Sequence, residues 1–482
     1  MALIRSVARL QETIGVRIAQ GDLDSALRLI HRAVDQIYCE PINTARIFGS
    51  KRLDGYCQEI GAINWRRVRD NAQLTPSSCM SGNTVVYVVS RIYASGGHTA
   101  VLADMIRLGP PARSIILITG TVWVTDLAAI RHRFEGLAQV SFECAPRGTH
   151  LEKLDWLQRK LLELAPGTVW LFNHHPDSVA IAAVQPDAGY RLRYYHHGDH
   201  HLCLGVYLDY ADHIDLHPMG FHNCRDILGI QGNRYLPLAV KDQGERPAEK
   251  ERAPGAGLIT CTAASPNKID PPYFIHYADV VPEMLRASGG KHIHIGPLSM
   301  LTLLRIKRGI RKLGLPKSSF VHIPYVRSVW QALHEHRVDL YVASFPYGGA
   351  RTLIEAMGAG VAVALHLHCH SRLLSTFDMA FEGALLWRNP QELYSHVQQT
   401  DPETLKQQGQ AARRKYLECY REEVLASALA DWTQPLLPPP LLAGYAPDKL
   451  QQALDITNQV SCAGALRRLL CRTIRRWKSL RA

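Results

Sequence analysis

The sequence predicts an α/β protein made of two successive parallel-sheet units, preceded by a small helical segment. Three observations carry this. From residue 84 to about 240, short fully apolar runs alternate with amphipathic stretches, the pattern of strands covered on both faces of a parallel sheet. The stretch 241–257, KDQGERPAEKERAPGAG, is charged and carries Pro and Gly, as interdomain linkers do. After it the same alternation restarts and runs to residue 366.

The elements follow in order. Residues 1–75 read as helical: Leu23, Ala26, Leu27, Ile30, Ala33 and Val34 recur at three- and four-residue steps and mark one buried face. The first unit spans 80–240, with strands at 84–90, 114–120, 168–173 and 190–196 and a helix opening behind the first of them. The linker is 241–257. The second unit spans 257–432, with strands at 257–263, 291–296, 318–326, 338–344 and 361–366. Residues 433–482 are a stiff Pro-rich connector, which cannot be helix interior, followed by a basic amphipathic helix.

Composition narrows the class. Of 482 residues, 46% are hydrophobic and 20% charged, which supports a large core and excludes a mostly disordered chain. The net charge of +12 points to an anionic partner: nucleotide phosphates, a membrane surface or nucleic acid. Nucleic acid is disfavoured, because the basic residues lack interleaved aromatics. The first residues, MALIRSVARLQETIG, hold no uninterrupted apolar core, and no run approaches the ~20 apolar residues of a membrane span. The expected location is therefore cytoplasmic. The 11 cysteines show no C-x-x-C pair and read as small buried hydrophobes.

In open α/β sheets ligands bind beyond the carboxyl ends of the strands, so the loops there hold the candidate residues. Gly96, Gly97 and His98 follow the first strand and open a helix: paired glycines admit a close backbone approach, the helix N-terminus favours an anion, and His98 adds a proton-transfer group at the mouth of the site. His196-His197-Gly198-Asp199-His200-His201 follows strand 190–196. Its density of ligands also fits a metal, but neighbouring residues rarely surround one ion. Acid–base or sugar-hydroxyl contacts from His197 and Asp199 are the preferred reading, and a surface loop without function is the bland one. Asn173-His174-His175-Pro176-Asp177 ends the neighbouring strand and reads either as a lining of the same cleft or as a helix cap at Asp177.

In the second unit, Ser265-Pro266-Asn267-Lys268 follows the first strand, where a lysine can reach a diphosphate as a point charge. Tyr347, Gly348, Gly349, Ala350, Arg351 and Thr352 form a Gly-rich turn into a helix whose free N–H groups suit phosphate oxygens. Glu355, inside that helix, suits a ribose diol. The His322–Val326 loop, with Tyr325, offers backbone groups to a base.

These motifs resemble those of the glycosyltransferases of the GT-B fold: two Rossmann-like domains facing across a cleft. The loop at Ser265, Pro266 and Lys268 and the stretch Glu355–Gly360 are similar to the large retaining family 4. Asn267–Pro271 and SFPYGGARTLIEAM resemble loops of the O-GlcNAc transferase family and its bacterial protein N-glycosyltransferase relatives, which a helical N-terminal segment also suits. The resemblance covers roughly 84–432. It implies a glycosyltransferase that moves a sugar from a nucleoside-diphosphate sugar, expected to be a UDP-sugar, to a glycan, glycolipid, lipid-linked glycan or protein acceptor. Lys268 would touch the donor diphosphate, residues 348–352 its phosphates and Glu355 its ribose. No cofactor is required and no metal ligands are assigned.

Two departures stand out. Family 4 enzymes carry an arginine where this chain has Ala263 and a glutamate where it has Tyr347. Arg351 is the candidate replacement for the missing positive charge. Two alternatives stay open: a sugar-nucleotide epimerase on the same fold, and a non-catalytic sugar-nucleotide-binding protein. In the tail, Leu466, Leu469, Leu470, Ile474 and Trp477 share one face with arginines around it. That pattern fits an anionic membrane surface, making the protein peripheral on the inner face, and equally a helix packed on the protein.

Overall fold

The computed structural model describes residues 7–40, 43–71, 81–93, 97–122, 127, 130, 134–137, 139–245, 257–433 and 436–448. The expectations placed on Gly96 and on the C-terminal helix lie outside these residues. Among the described residues, no helix is long and apolar enough to cross a membrane.

Three helices come first: α1 (Val7–Ala19), α2 (Leu23–Tyr38) and α3 (Lys51–Asn71). They are not a separate body. Leu10, Ile14, Leu27, Ile30, Cys57 and Ile60 share one apolar cluster with Val86, Val88, Ile115, Leu117, Val169 and Leu171 of the first sheet. The buried Asp54 of α3 locks the segment further, accepting the N–H groups of Gly205 at 2.7 Å and Tyr207 at 3.0 Å.

The first sheet runs β1 (Ser81–Val89), β2 (Arg113–Ile118), β3 (Val140–Cys144), β4 (Pro166–Phe172), β5 (Arg191–His196), β6 (Asp212–Asp215) and β7 (Arg234–Tyr235). Its spatial order is β3-β2-β1-β4-β5-β6-β7, and each pairing is parallel. The second sheet holds β8 (Ile259–Ala263), β9 (Lys291–Ile295), β10 (Phe320–Ile323), β11 (Leu340–Val342), β12 (Ala362–His366) and β13 (Leu385–Trp387), ordered β10-β9-β8-β11-β12-β13, again parallel. Both sheets reverse direction beside their first strand. That opens a crevice at the carboxyl ends of β1 and β4 in one, and of β8 and β11 in the other.

Helices that matter for the site are α4 (Gly97–Leu108), α5 (His150–Leu164), α6 (Ser178–Ala183) and α7 (Pro218–His222) in the first unit. In the second they are α8 (Pro266–Ile269), α9 (Tyr277–Ser288), α10 (Met300–Lys312), α11 (Val329–Glu335) and α12 (Ala350–Gly358), with α13 (Pro390–Gln399), α14 (Pro402–Cys419) and α15 (Glu422–Ala430) closing the described helices. The chain returns at its end to the first unit. Tyr420 O accepts the N–H of Val240 at 3.0 Å, α15 packs on α4, and Trp432 lies beside Trp170 with the Arg193 guanidinium 3.5 Å over its ring.

Candidate active site

The site grows from strand ends. Lys268 lies in α8, directly behind β8, and its carbonyl accepts the N–H of Tyr347 at 3.2 Å. The Gly-rich turn is held from its other side by Gly348 N–H donating to Leu374 O at 2.8 Å. These two bonds place the lysine loop and the turn side by side. The turn needs glycine at Gly348, where a Cβ would lie 2.6 Å from Thr376 Cγ2 and 2.8 Å from its backbone nitrogen; on Gly349 it would meet the Thr352 hydroxyl at 2.7 Å. Gly349 is the N-cap of α12, with Thr352 Oγ1 donating to its carbonyl at 3.1 Å, and Ala350, the first residue of α12, lines the cleft with the helix's unpaired N-terminal N–H groups.

The first unit contributes from β5 and β6. Asp199, buried behind β5, holds two histidines: His217 Nδ1 at 2.7 Å on Oδ2 and His200 Nδ1 at 3.0 Å on Oδ1. Burial works to raise the Asp199 carboxyl, but His217 and His200 outweigh it and hold the group well below its ordinary value. A cavity of about 60 Å³ brings the units together: Asp199, His200 and His217 face Lys268, Tyr347, Gly348, Ala350 and Thr376. Burial lowers the Lys268 ammonium, with Asp199 opposing. Thr376 Oγ1 is buried without a hydrogen-bond partner in this lining. A larger cavity of about 1010 Å³ lies among α9, α10 and α13 in the second unit alone. None of the residues picked from the sequence lines it, and the chemistry argues for the smaller, two-sided one.

Not every expected residue stands free there. Arg351 bonds Asp104 of α4 at 2.7 Å, so its guanidinium is engaged across the cleft. One Glu355 oxygen accepts the N–H of Trp330 at the start of α11, at 3.1 Å, and burial pushes this carboxyl up. Tyr325 is 69% exposed and does not reach the cavity. Gly97 starts α4, with open space around it.

His98 differs from its expected place at an open mouth. Both its ring nitrogens are shielded without partners, and it packs among His197, His174 and Phe172 at centroid distances of 4.5, 5.0 and 5.8 Å. His175 and His201 join the same aromatic stack. Asp177 settles as a helix cap: Oδ1 accepts Ala180 N–H at 3.0 Å, while Oδ2 takes Ser90 and Thr119 hydroxyls at 2.6 Å each. The helical segment buttresses this wall, since Ala45 N–H donates to His200 O at 2.7 Å.

Burial depresses His98 and His174 to about 3, and pushes His175, His197 and His201 well below 6.5. Unfolding restores their ordinary value near 6.5, so between about 3 and 6.5 the unfolded chain binds more protons than the native one. Stability from this stack is complete above 6.5 and is lost as pH falls through that window. The melting temperature should be flat from pH 7 to about 8 and drop steadily below about 6.5. Burial also raises the Asp54 and Asp378 carboxyls to about 7 and about 6, which opposes this slope. A melting temperature rising between about pH 6.5 and 5 in an Asp54→Asn, Asp378→Asn chain would contradict a neutral buried stack.

Sequence reading missed His217 and Thr376. His217 follows β6, which reads Asp-His-Ile-Asp and lacks the apolar run that marks a buried strand. Thr376 lies ten residues beyond β12, at the cap of a short 3-10 turn (Phe377–Met379).

No protein-family model matches the chain, and no curated protein matches it in sequence. Solved structures do match. HepE from Anabaena in complex with UDP aligns with a TM-score of 0.55 at 12% identity, over 72% of this chain and 98% of that one. The same protein with UDP and glucose gives 0.54 at 11%, with the same shares. A glycosyltransferase from Rickettsia africae gives 0.53 at 12%, over 72% of this chain and 96% of that one. Together with the two parallel sheets, these likenesses show that the chain has the GT-B fold, with its two Rossmann-like domains.

Proposed function

We propose that the chain is a glycosyltransferase that moves a sugar from a nucleoside-diphosphate sugar, UDP-linked, to a hydroxyl or amide acceptor on a glycan, lipid-linked glycan or protein. One observation carries the reading: Lys268 and the N-terminus of α12 meet the Asp199–His217 pair across a single interdomain cavity. The positive groups suit a leaving diphosphate, whose charge grows as the glycosidic bond breaks. The carboxylate–imidazole pair suits the acceptor. With Nδ1–H of His217 donated to Asp199, Nε2 is the basic nitrogen able to take the acceptor proton. The solved relatives in fold include a protein bound to UDP-glucose, which supports the donor class.

A thermal-shift screen of the whole chain against nucleoside diphosphates and their sugars tests this. A ligand at about 100 times its Kd stabilises by ~2.7 kcal/mol, a melting shift of several degrees. UDP and at least one UDP-sugar should produce it. No shift with any nucleotide sinks the donor assignment. A second reading, nucleotide binding without turnover, draws on the engagement of Arg351 by Asp104. Product analysis with the stabilising donor separates it, and detects an epimerase by conversion without acceptor.

A further inference from the structure

Beneath the His-rich wall, outside the interdomain cavity, four buried side chains converge: His196 at the end of β5, His213 and Asp215 on β6, and Cys224 just beyond α7. We propose that they form a structural zinc(II) site, with His196 Nδ1, His213 Nε2, Asp215 Oδ1 and Cys224 Sγ as its four ligands. This is independent of the transferase reading.

The distances carry it. His196 Nδ1 and Asp215 Oδ1 stand 3.2 Å apart, His213 Nε2 and Asp215 Oδ1 3.4 Å, Cys224 Sγ and His196 Nδ1 3.3 Å, and Cys224 Sγ and Asp215 Oδ1 3.3 Å. All four atoms lie within 4.8 Å of one another. For nitrogen–oxygen hydrogen bonds the first two spacings are long, since such bonds favour about 2.9–3.0 Å. They are close to the edges of a tetrahedron: ligands about 2.0–2.3 Å from a central zinc stand roughly 3.3–3.7 Å apart. The contrast lies within one carboxylate. Asp215 Oδ2 takes a bond from Asn233 Nδ2 at 2.7 Å, while Oδ1 is shared by His196 Nδ1, Cys224 Sγ and His213 Nε2 at 3.2, 3.3 and 3.4 Å.

Two further observations agree. His213 Nε2 points into the cluster, is buried, and has no hydrogen-bond partner. The residues are at most 4% exposed, so any charge they hold must be balanced inside. Two neutral imidazoles, one carboxylate and one thiolate carry two negative charges, and a divalent ion cancels them. The mixed nitrogen, oxygen and sulfur donor set suits zinc, and four protein ligands make a closed, structural site. Asn233 holds the ligating carboxylate in place, as outer partners of metal ligands do. Such an ion pins the carboxyl ends of β5 and β6 directly under the loops that carry Asp199 and His217.

The test uses the full chain. Purified without chelator, it should carry about one zinc per chain. Stripped and titrated with cobalt(II) alone, it should develop the strong visible bands of a tetrahedral site and a thiolate-to-cobalt charge-transfer band, both discharged by zinc. Cys224→Ala should lose the charge-transfer band, and Cys203→Ala, at the other buried thiol near the His-rich loop, should keep it. If Cys224→Ala does not fold, the wild-type chain decides: stripping should lower its melting temperature and equimolar zinc should restore it. A wild-type cobalt complex without a thiolate band, a band undiminished in folded Cys224→Ala, or a melting temperature indifferent to stripping overturns the site.

Discussion

Replacing Lys268 by alanine should cut glycosyl transfer by about 10²–10³-fold, the usual cost of removing one preorganised group that stabilises developing negative charge. Affinity for UDP should fall by roughly 10–100-fold, since a charge-assisted contact contributes ~1.5–3 kcal/mol. The fold should be spared. The Lys268 ammonium makes no ion pair among the described residues, and its backbone, which holds Tyr347, is untouched by the change. The ligand-free melting temperature of the variant should therefore match the parent, while its shift with UDP shrinks. Lys268→Arg should rescue only in part, because a planar fork replaces a compact point charge. A Lys268→Ala chain that binds UDP and turns over like the parent would move the donor site elsewhere.

The second large effect is on stability. In α3, Gly61 lies against α6, and a Cβ there would sit 1.9 Å from the carbonyl oxygen of Ala182 and 2.4 Å from Gln185 Nε2. The Gly61 carbonyl also accepts Gln158 Nε2 at 3.0 Å, so the helix cannot slide away without breaking that bond. Gly61→Ala should destabilise the first unit by about 3 kcal/mol, the upper range for overpacking. In the same helix Gly55 has no heavy atom within 4 Å of its would-be Cβ. There alanine should stabilise by ~0.5–1 kcal/mol, through helix propensity alone. Denaturant unfolding of the two variants checks the opposite signs. Equal effects would mean that α3 does not dock as described.

Much of the architecture was legible in the sequence. Apolar runs such as Val85–Val89 and Val361–Leu365 mark strands because both faces of a parallel strand are buried. The turn at Gly348 and Gly349 was legible because a glycine pair before a helix has few other uses. What stayed hidden has a common cause: polar residues buried for reasons that periodicity does not see. β6 carries His213 and Asp215 inward, so it looks like a loop, and His217 disappeared with it. The cluster of His196, His213, Asp215 and Cys224 spans three elements with no motif spacing, and only the sheet order assembles it. The partners of Arg351 and Glu355 were equally invisible. Asp104 lies in the other unit, and the Trp330 N–H is a backbone group with no sequence signature.

The chain's return to the first unit has a mechanical consequence. The units are joined by two crossings, one leaving after Val240 and one coming back at Tyr420, and the bond between those residues ties the crossings together. Two polypeptide strands fastened side by side act as a door hinge rather than a tether. Such a double connection restricts the relative rotation of the units more than a single linker would. Any opening of the cleft would have to part Arg351 from Asp104, and Arg46 and Thr44 from His370, whereas Arg107 would keep its pairing with Glu422 on α15, which packs on α4 of the first unit. Arg351 is thus one of the groups whose charge a parted cleft would free.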